Sequence, residues 1–234
     1  MTVLSPVRPS WYSKYTPRAG DGCVLCLNRQ DDHNSSTLRD TSGNGNDGTI
    51  YGATWTQTEK GLWVLSYDGT DDYTDCGNDA SLGVTTALTI ETWVNFSKLP
   101  SAQDDNYPGI VSLPLDDAQL YLDKGNAKIF FRVVDTDSNY HYSSILETDI
   151  SAGRWYHLVG ATNGSTQDIY LNSVSKAPKS SGVPGVRSAN CHIGRNGSWY
   201  LNALIGDEVR IYNRALSAEE IRDHYRYGRQ LYGV

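Results

Sequence analysis

The stretch LTIETWVNF, residues 88–96, governs the reading of the whole chain. Leu88, Ile90, Thr92, Val94 and Phe96 fall on one side of an extended backbone, and Thr89, Glu91, Trp93 and Asn95 on the other. Both sets include large or β-branched side chains. The segment therefore reads as a central strand contacted on both faces.

Outward from this strand, short runs of the same kind recur near 23–27, 48–55, 62–67, 72–76, 109–113, 118–123, 127–134, 140–147, 154–162, 167–172, 190–194 and 203–212. Gly, Asn, Asp and Pro punctuate them, as turns between short strands require. One helix is expected, at the end. Ser217-Ala218-Glu219-Glu220 forms a capping box. Ile221 and Tyr225 share a face, and Arg222, Arg226 and Arg229 suit the negative end of the helix dipole. No βαβ alternation and no internal repeat is visible.

Composition narrows the function classes. Sixteen Tyr and six Trp stand against three Phe and one Met, a choice that fits sheet faces dry on one side and wet on the other. A length of 234 residues suits one all-β domain. The formal charge of −7 argues against nucleic acid, whose phosphates demand a basic partner. Residues 1–20 carry Arg8, Lys14 and Arg18 and no acid, which leaves −10 on the remainder. Residues 1–21 thus read as an extended basic arm, with Pro6, Pro9 and Pro17 breaking any ladder. Its aromatics Trp11, Tyr12 and Tyr15 make it an expected docking strap for assembly, because rings are costly to leave in water. No run is long enough to span a membrane, and residues 1–18 lack the apolar core of a signal peptide.

The four cysteines read as buried free thiols, with one disulfide as the alternative. Cys23-x-x-Cys26 lies in an apparent strand, where an offset of three predicts sulfurs on opposite faces. No second pair completes a zinc set.

Five segments together resemble a known family. They are DTSGNGNDGTIYGATW (40–55), YDGTDDYTDCGN (67–78), LTIETWVNF (88–96), GRWYHLVGATNG (153–164) and DEVRIYNRALSAEEI (207–221). In order and spacing they are similar to the laminin-G-like jelly-roll domains of the concanavalin A-like lectin/glucanase superfamily, over roughly residues 22–227. The resemblance implies a two-sheet antiparallel jelly-roll sandwich with a short C-terminal helix, occupying 22–234. It also makes Trp93 and Trp155 structural. Members bind glycans or proteins, decorate particles, or hydrolyse glucans, so the fold alone names no activity.

The residues argue against hydrolysis. Laminarinase-type relatives carry E-x-D-x-x-E on one strand, placing nucleophile and acid together. Here Glu91 is followed by Trp93 and Phe96, and Glu147 and Asp149 have no third acid. No catalytic residue is assigned, and His157 reads as a satisfied sheet histidine. The resemblance implies at most one structural Ca²⁺, with Asp207 as the matching carboxylate and Asp68 as its neighbour; turn fixing by both is the competing reading. Gly206 stands where the family often has an apolar residue. Asp40–Gly45 mimics an EF-hand start, but position twelve is Tyr51, so a Gly/Asn turn is expected.

Sugars are gripped by flat rings and a few directed hydrogen bonds. Tyr107, Tyr140, Tyr142, Trp199 and Tyr200 lie outside the family's core pattern and are the expected carbohydrate-binding residues. Tyr140 and Tyr142 share a strand face, and Asn196–Tyr200 reads as a hairpin carrying an exposed Trp. The expected function is non-catalytic recognition or adhesion at an extracellular or virion surface, with a glycan or a protein surface as partner. The alternative is a decoration or assembly protein of a virus particle or surface layer. Met1, the lack of a leader and the arm favour that alternative, the arm serving homo-oligomer or particle assembly.

Overall fold

The structure is a computed structural model that describes residues 21–28, 33–84, 86–113, 118–176, 178–185, 189–206 and 208–234. The arm residues Trp11, Tyr12 and Tyr15, and Asp207, lie outside the described residues.

The strands are β1 (Cys23–Leu27), β2 (Thr37–Leu38), β3 (Gly48–Tyr51), β4 (Thr54–Gln57), β5 (Trp63–Asp68), β6 (Tyr73–Asp75), β7 (Leu88–Phe96), β8 (Gly109–Ser112), β9 (Ala118–Asp123) and β10 (Lys128–Val134). They continue as β11 (Tyr140–Leu146), β12 (Trp155–Thr162), β13 (Thr166–Leu171), β14 (Val174–Ser175), β15 (Lys179–Ser180), β16 (His192–Ile193), β17 (Arg195–Asn196), β18 (Trp199–Tyr200), β19 (Asn202–Ile205) and β20 (Val209–Tyr212), before helix α1 (Ala218–Tyr232). One sheet runs β14-β13-β12-β7-β19-β5-β4, with β20, β1 and β15 attached; the second runs β11-β10-β9-β8-β16-β6-β3-β2. All pairings are antiparallel.

β7 lies at the centre of the first sheet. β12 pairs along one edge, from Trp155↔Asn95 to Thr162↔Leu88. The run expected as one strand over 203–212 breaks in two, and both parts follow the other edge. β19 pairs with Val94–Phe96 and β20 with Thr89–Glu91. Gly206, at the break, explains its departure from the family pattern. A Cβ there would overlap the Tyr232 hydroxyl of α1 and press on Trp93, so the site admits only glycine if the helix is to close on the sheet.

The two faces of β7 divide as their alternation predicts. Leu88, Ile90, Val94 and Phe96 enter the core between the sheets, with Leu120, Phe131 and Ile193 among their company. Trp93, 1% exposed, packs outward beneath α1, stacked at 4.6 Å on Tyr232 and 5.9 Å from Tyr225. Burying a side chain of that size contributes about 1.5–3 kcal/mol or more by transfer alone. The helix begins as its sequence dictates. Ser217 Oγ accepts from Glu220 N, and Glu220 Oε2 accepts from Ser217 N at 2.8 Å. Gly233 ends it with φ +74°, the left-handed cap that glycine adopts without strain.

One cysteine expectation is corrected. A bulge between Cys23 and Leu25 shifts the alternation of β1. Cys23 and Cys26 consequently share one cluster with Tyr212, Leu216 and Ile221 on the helix side, while Val24, Leu25 and Leu27 face the inter-sheet core. All four cysteines are buried free thiols. Asp40 organises a turn, accepting from the backbone N–H groups of Cys26, Ser42 and Asn46 at 2.9, 2.9 and 3.0 Å. Gly43 and Gly45 supply its positive φ.

Candidate binding face on the second sheet

The first sheet's outer face is occupied by α1, whereas among the described residues no helix covers the second sheet's. Strand alternation aims Gln119, Tyr121 and Asp123 of β9 outward, because Ala118, Leu120 and Leu122 fill the core. On β10 the outward set is Phe130 and Arg132, and on β11 it is Tyr140 and Tyr142. Register aligns these sets: Phe130 lies opposite Tyr121, and Arg132 opposite both Gln119 and Tyr142.

Hairpin β17–β18 seats on this face. Arg195 pairs with Tyr200 and Asn196 with Trp199 around Gly197-Ser198, where Gly197 has φ +57°. Four polar contacts pin the hairpin. Ser112 Oγ donates to Arg195 O at 3.0 Å, Gln119 Nε2 to Asn196 Oδ1 at 3.1 Å, Asn196 Nδ2 to Tyr107 O at 3.2 Å, and Tyr200 N to Asp105 Oδ2 at 2.7 Å. Gly109 lets the hairpin approach, since a Cβ there would overlap the Arg195 carbonyl.

The result is a cleft of about 520 Å³ between the hairpin and β9–β11. Its rings form a continuous series. Trp199 meets Tyr107 edge-on at 5.0 Å, and Tyr107 meets Tyr121 at 6.4 Å. Tyr121 stacks with Phe130 at 5.6 Å, and Phe130 meets Tyr142 edge-on at 5.7 Å. Tyr142 lies parallel to Tyr140 at 6.3 Å. The Arg132 guanidinium sits 5.5 Å from the Tyr121 ring centre and 5.6 Å from that of Tyr140, within cation–π range. Tyr107, Tyr140 and Tyr142 are 40%, 57% and 43% exposed. Burial pushes the Tyr121 hydroxyl up from its ordinary pKa, so it stays a neutral hydrogen-bonding group. Asp123 accepts from Asn126 N and Nδ2 at 2.9 and 2.8 Å, which holds both side chains at the rim.

Three of the five expected aromatics, Tyr107, Tyr142 and Trp199, line this cleft, and Tyr140 extends it. Tyr200 does not line it: adjacent strand residues diverge, and its ring lies 6.4 Å from Tyr73 instead. Trp199 is half-buried rather than exposed, held by Tyr107. Sequence reasoning missed Tyr121, Phe130, Arg132, Asp123, Asn126 and Asn196. A signal was present: AQLYLD and KIFFRVV alternate with period two around a short turn, which aligns their outward residues.

The other singled-out residues lie away from this cleft. His157 is fully buried, with Nε2 2.8 Å from Glu91 Oε1. Asp68 accepts from Thr70 N at 2.7 Å in a turn, and one carboxylate oxygen each of Asp68, Asp71 and Asp72 lie within 4.8 Å of one another.

A family model described as the concanavalin A-like lectin/glucanases superfamily matches residues 68–222. Similar solved structures include the binding domain of Paraclostridial Mosquitocidal Protein 1, at TM-score 0.69 and 14% identity, covering 88% of this chain and 52% of that one. The receptor binding domain of botulinum neurotoxin C/D mosaic serotype is similar at TM-score 0.69 and 17% identity, covering 88% and 51%. The botulinum neurotoxin serotype D ligand binding domain in complex with N-acetylneuraminic acid is similar at TM-score 0.67 and 16% identity, covering 88% and 51%. The chain thus spans about half the length of these structures. No match was found among curated protein sequences.

Proposed function

The chain belongs to the concanavalin A-like lectin/glucanases superfamily, and on that footing we propose that it is a non-catalytic recognition module that binds carbohydrate in the cleft on the second sheet. The observation that carries this reading is the ring series from Trp199 to Tyr142, set in an open cleft with Asp123, Asn126 and Asn196 at hand. Rings offer the flat apolar faces of a sugar a dry surface, and the amides and carboxylate take its hydroxyls. Among the described residues one carboxylate, Asp123, lines the cleft, whereas glycoside hydrolysis employs two flanking the bond. Glu91 is 2% exposed beneath the helix and reaches no substrate. The similar toxin domain bound to N-acetylneuraminic acid agrees with a glycan ligand in kind. Such a module acts at an extracellular or particle surface, and no helix among the described residues is long and apolar enough to cross a membrane.

A glycan array tests the reading. The protein should retain a defined subset of glycans, and Trp199→Ala and Tyr142→Ala should each abolish retention while the domain still shows a cooperative melting transition. Retention unchanged in both variants overturns the cleft as the site.

A further inference from the structure

The hairpin divides the open face, and a second depression lies beyond it, about 380 Å³ in volume. Its floor follows from the register of the second sheet. Thr49 lies opposite Asp75 and Tyr51 opposite Tyr73. Tyr51 is 45% exposed, yet its ring is fixed, stacked on Tyr73 at 4.6 Å and 12°. Tyr73 is itself held by the Arg195 guanidinium 4.0 Å from its centre. The result is a flat, solvent-facing ring beside a polar pocket.

The pocket presents acceptors. Asp47, Asp75 and Asp79 line it, and among the described residues no Lys or Arg does. Asp47 Oδ1 accepts from Asp40 N, and Asp79 Oδ1 from Ser81 N, so each keeps a second oxygen. Asp75 accepts from Asn190 Nδ2 and Gly77 N. The independent observation is Asn46 in the pocket wall, 3% exposed. Its Nδ2 is committed to Val24 O and Ser81 Oγ, at 2.8 and 2.9 Å. Its buried Oδ1 has no partner, and native proteins rarely leave such an acceptor unmatched.

Acceptors without cations call for a ligand rich in donors. The three carboxylates are spread along the wall rather than gathered within 4.8 Å of one another, as oxygens of Asp68, Asp71 and Asp72 are among the described residues. Spaced acceptors beside an exposed ring suit a ligand that carries several spaced donors and positive charge.

We propose that this pocket is a second ligand subsite that takes the ammonium and hydroxyl groups of an amino sugar, with the sugar ring laid against Tyr51. The site is distinct from the cleft lined by Trp199 and does not depend on it.

The test is calorimetric titration with short glucosamine oligomers, their N-acetylated counterparts and an oligolysine of matched charge. Asp47→Asn and Asp79→Asn keep the acceptors their turns use, and Tyr51→Ala removes an exposed ring, so all three should fold. The glucosamine oligomer should bind, and each variant should weaken it roughly tenfold or more, the share of one charge-assisted hydrogen bond or one stacked ring. Trp199→Ala should leave this binding unchanged while removing cleft binding, which separates failure of one site from failure of the other. Equal binding of the N-acetylated oligomer overturns the proposal, since charge would not be read. Oligolysine binding as tight as the sugar and indifferent to Tyr51→Ala also overturns it, as does no binding of the glucosamine oligomer.

Discussion

Nδ1 of His224, on the C-terminal helix, lies 2.9 Å from Oε2 of Glu91, in the middle of the central strand. The same carboxylate takes Nε2 of His157 at 2.8 Å and faces Arg210 Nη1 at 3.8 Å. One buried anion thus joins α1, β7, β12 and β20. Glu91→Gln should cost about 3–5 kcal/mol, because it removes one of the two buried carboxylates beside Arg210, Glu208 at 3.6 Å being the other, and the charged acceptor that His157 and His224 share. Urea denaturation checks this; a loss below about 1 kcal/mol would mean that the helix closes without the carboxylate.

The same group sets an acid limit on stability. Burial drives the Glu91 carboxyl upward, but the charges of His224 and Arg210 and the hydrogen bonds from both histidines outweigh it and hold it well below the ordinary range. A depressed folded pKa contributes stability that is complete above the unfolded value of about 4.3 and is lost as pH falls toward the folded one. The unfolding midpoint should therefore drop below about pH 5. In Glu91→Gln that drop should be shallower, and parallel pH profiles for the two proteins would contradict the assignment.

Gly228 sits in the middle of α1, where alanine ordinarily stabilises a helix by about 0.5–1 kcal/mol. Here a Cβ would stand 2.5 Å from the Trp93 indole. Trp93 is buried against Tyr232 and has no room to yield. Overpacking of this kind costs about 1–3 kcal/mol, so the sign reverses and Gly228→Ala should destabilise. A raised denaturation midpoint would show that the helix shifts freely over the strand.

Much of the fold was legible because its signals are local. The alternation of 88–96, the Ser217–Glu220 box and the Gly-rich turn after Asp40 each depend on residues close in sequence, and each formed as read. What was not legible depends on distant partners. The bulge that turns Cys23 toward Cys26 is set by pairing with β20, nearly two hundred residues on. The break at Gly206 follows from Tyr232. Within the cleft, the exposed tyrosines were visible as surplus aromatics. Tyr121 and Arg132 gain their place only from the register of β9 with β10 and from a hairpin that arrives from residue 195 onward.

The cysteines yield a direct check on the corrected β1. The hydrogen bond between Cys23 and Cys26 pushes the Cys23 thiol up and lowers that of Cys26, but Cys26 is fully buried, out of reach of a reagent. All four thiols are buried. Reduced native protein should therefore show no fast-reacting thiol toward a charged disulfide reagent, and four after unfolding in guanidinium. A rapidly modified Cys23 or Cys26 in the native protein would mean that β1 is not covered by α1.

Gly109 links the scaffold to the cleft most directly. It supports no ring and touches no ligand, yet a Cβ at this position would collide with the Arg195 carbonyl. That carbonyl is already fixed by Ser112 Oγ at 3.0 Å. The hairpin is the softer partner, since it pairs only with itself as a two-stranded unit, whereas β8 is held on both edges by β9 and β16. Gly109→Ala should therefore lift the hairpin rather than bend the sheet. Trp199 would move from Tyr107, and the cleft would open at one wall. Retention on a glycan array should fall as far as in Trp199→Ala, while stability should drop by only about 1–3 kcal/mol, the cost of a local overpacking. Full retention in Gly109→Ala would show that the hairpin's seat does not position Trp199 for binding.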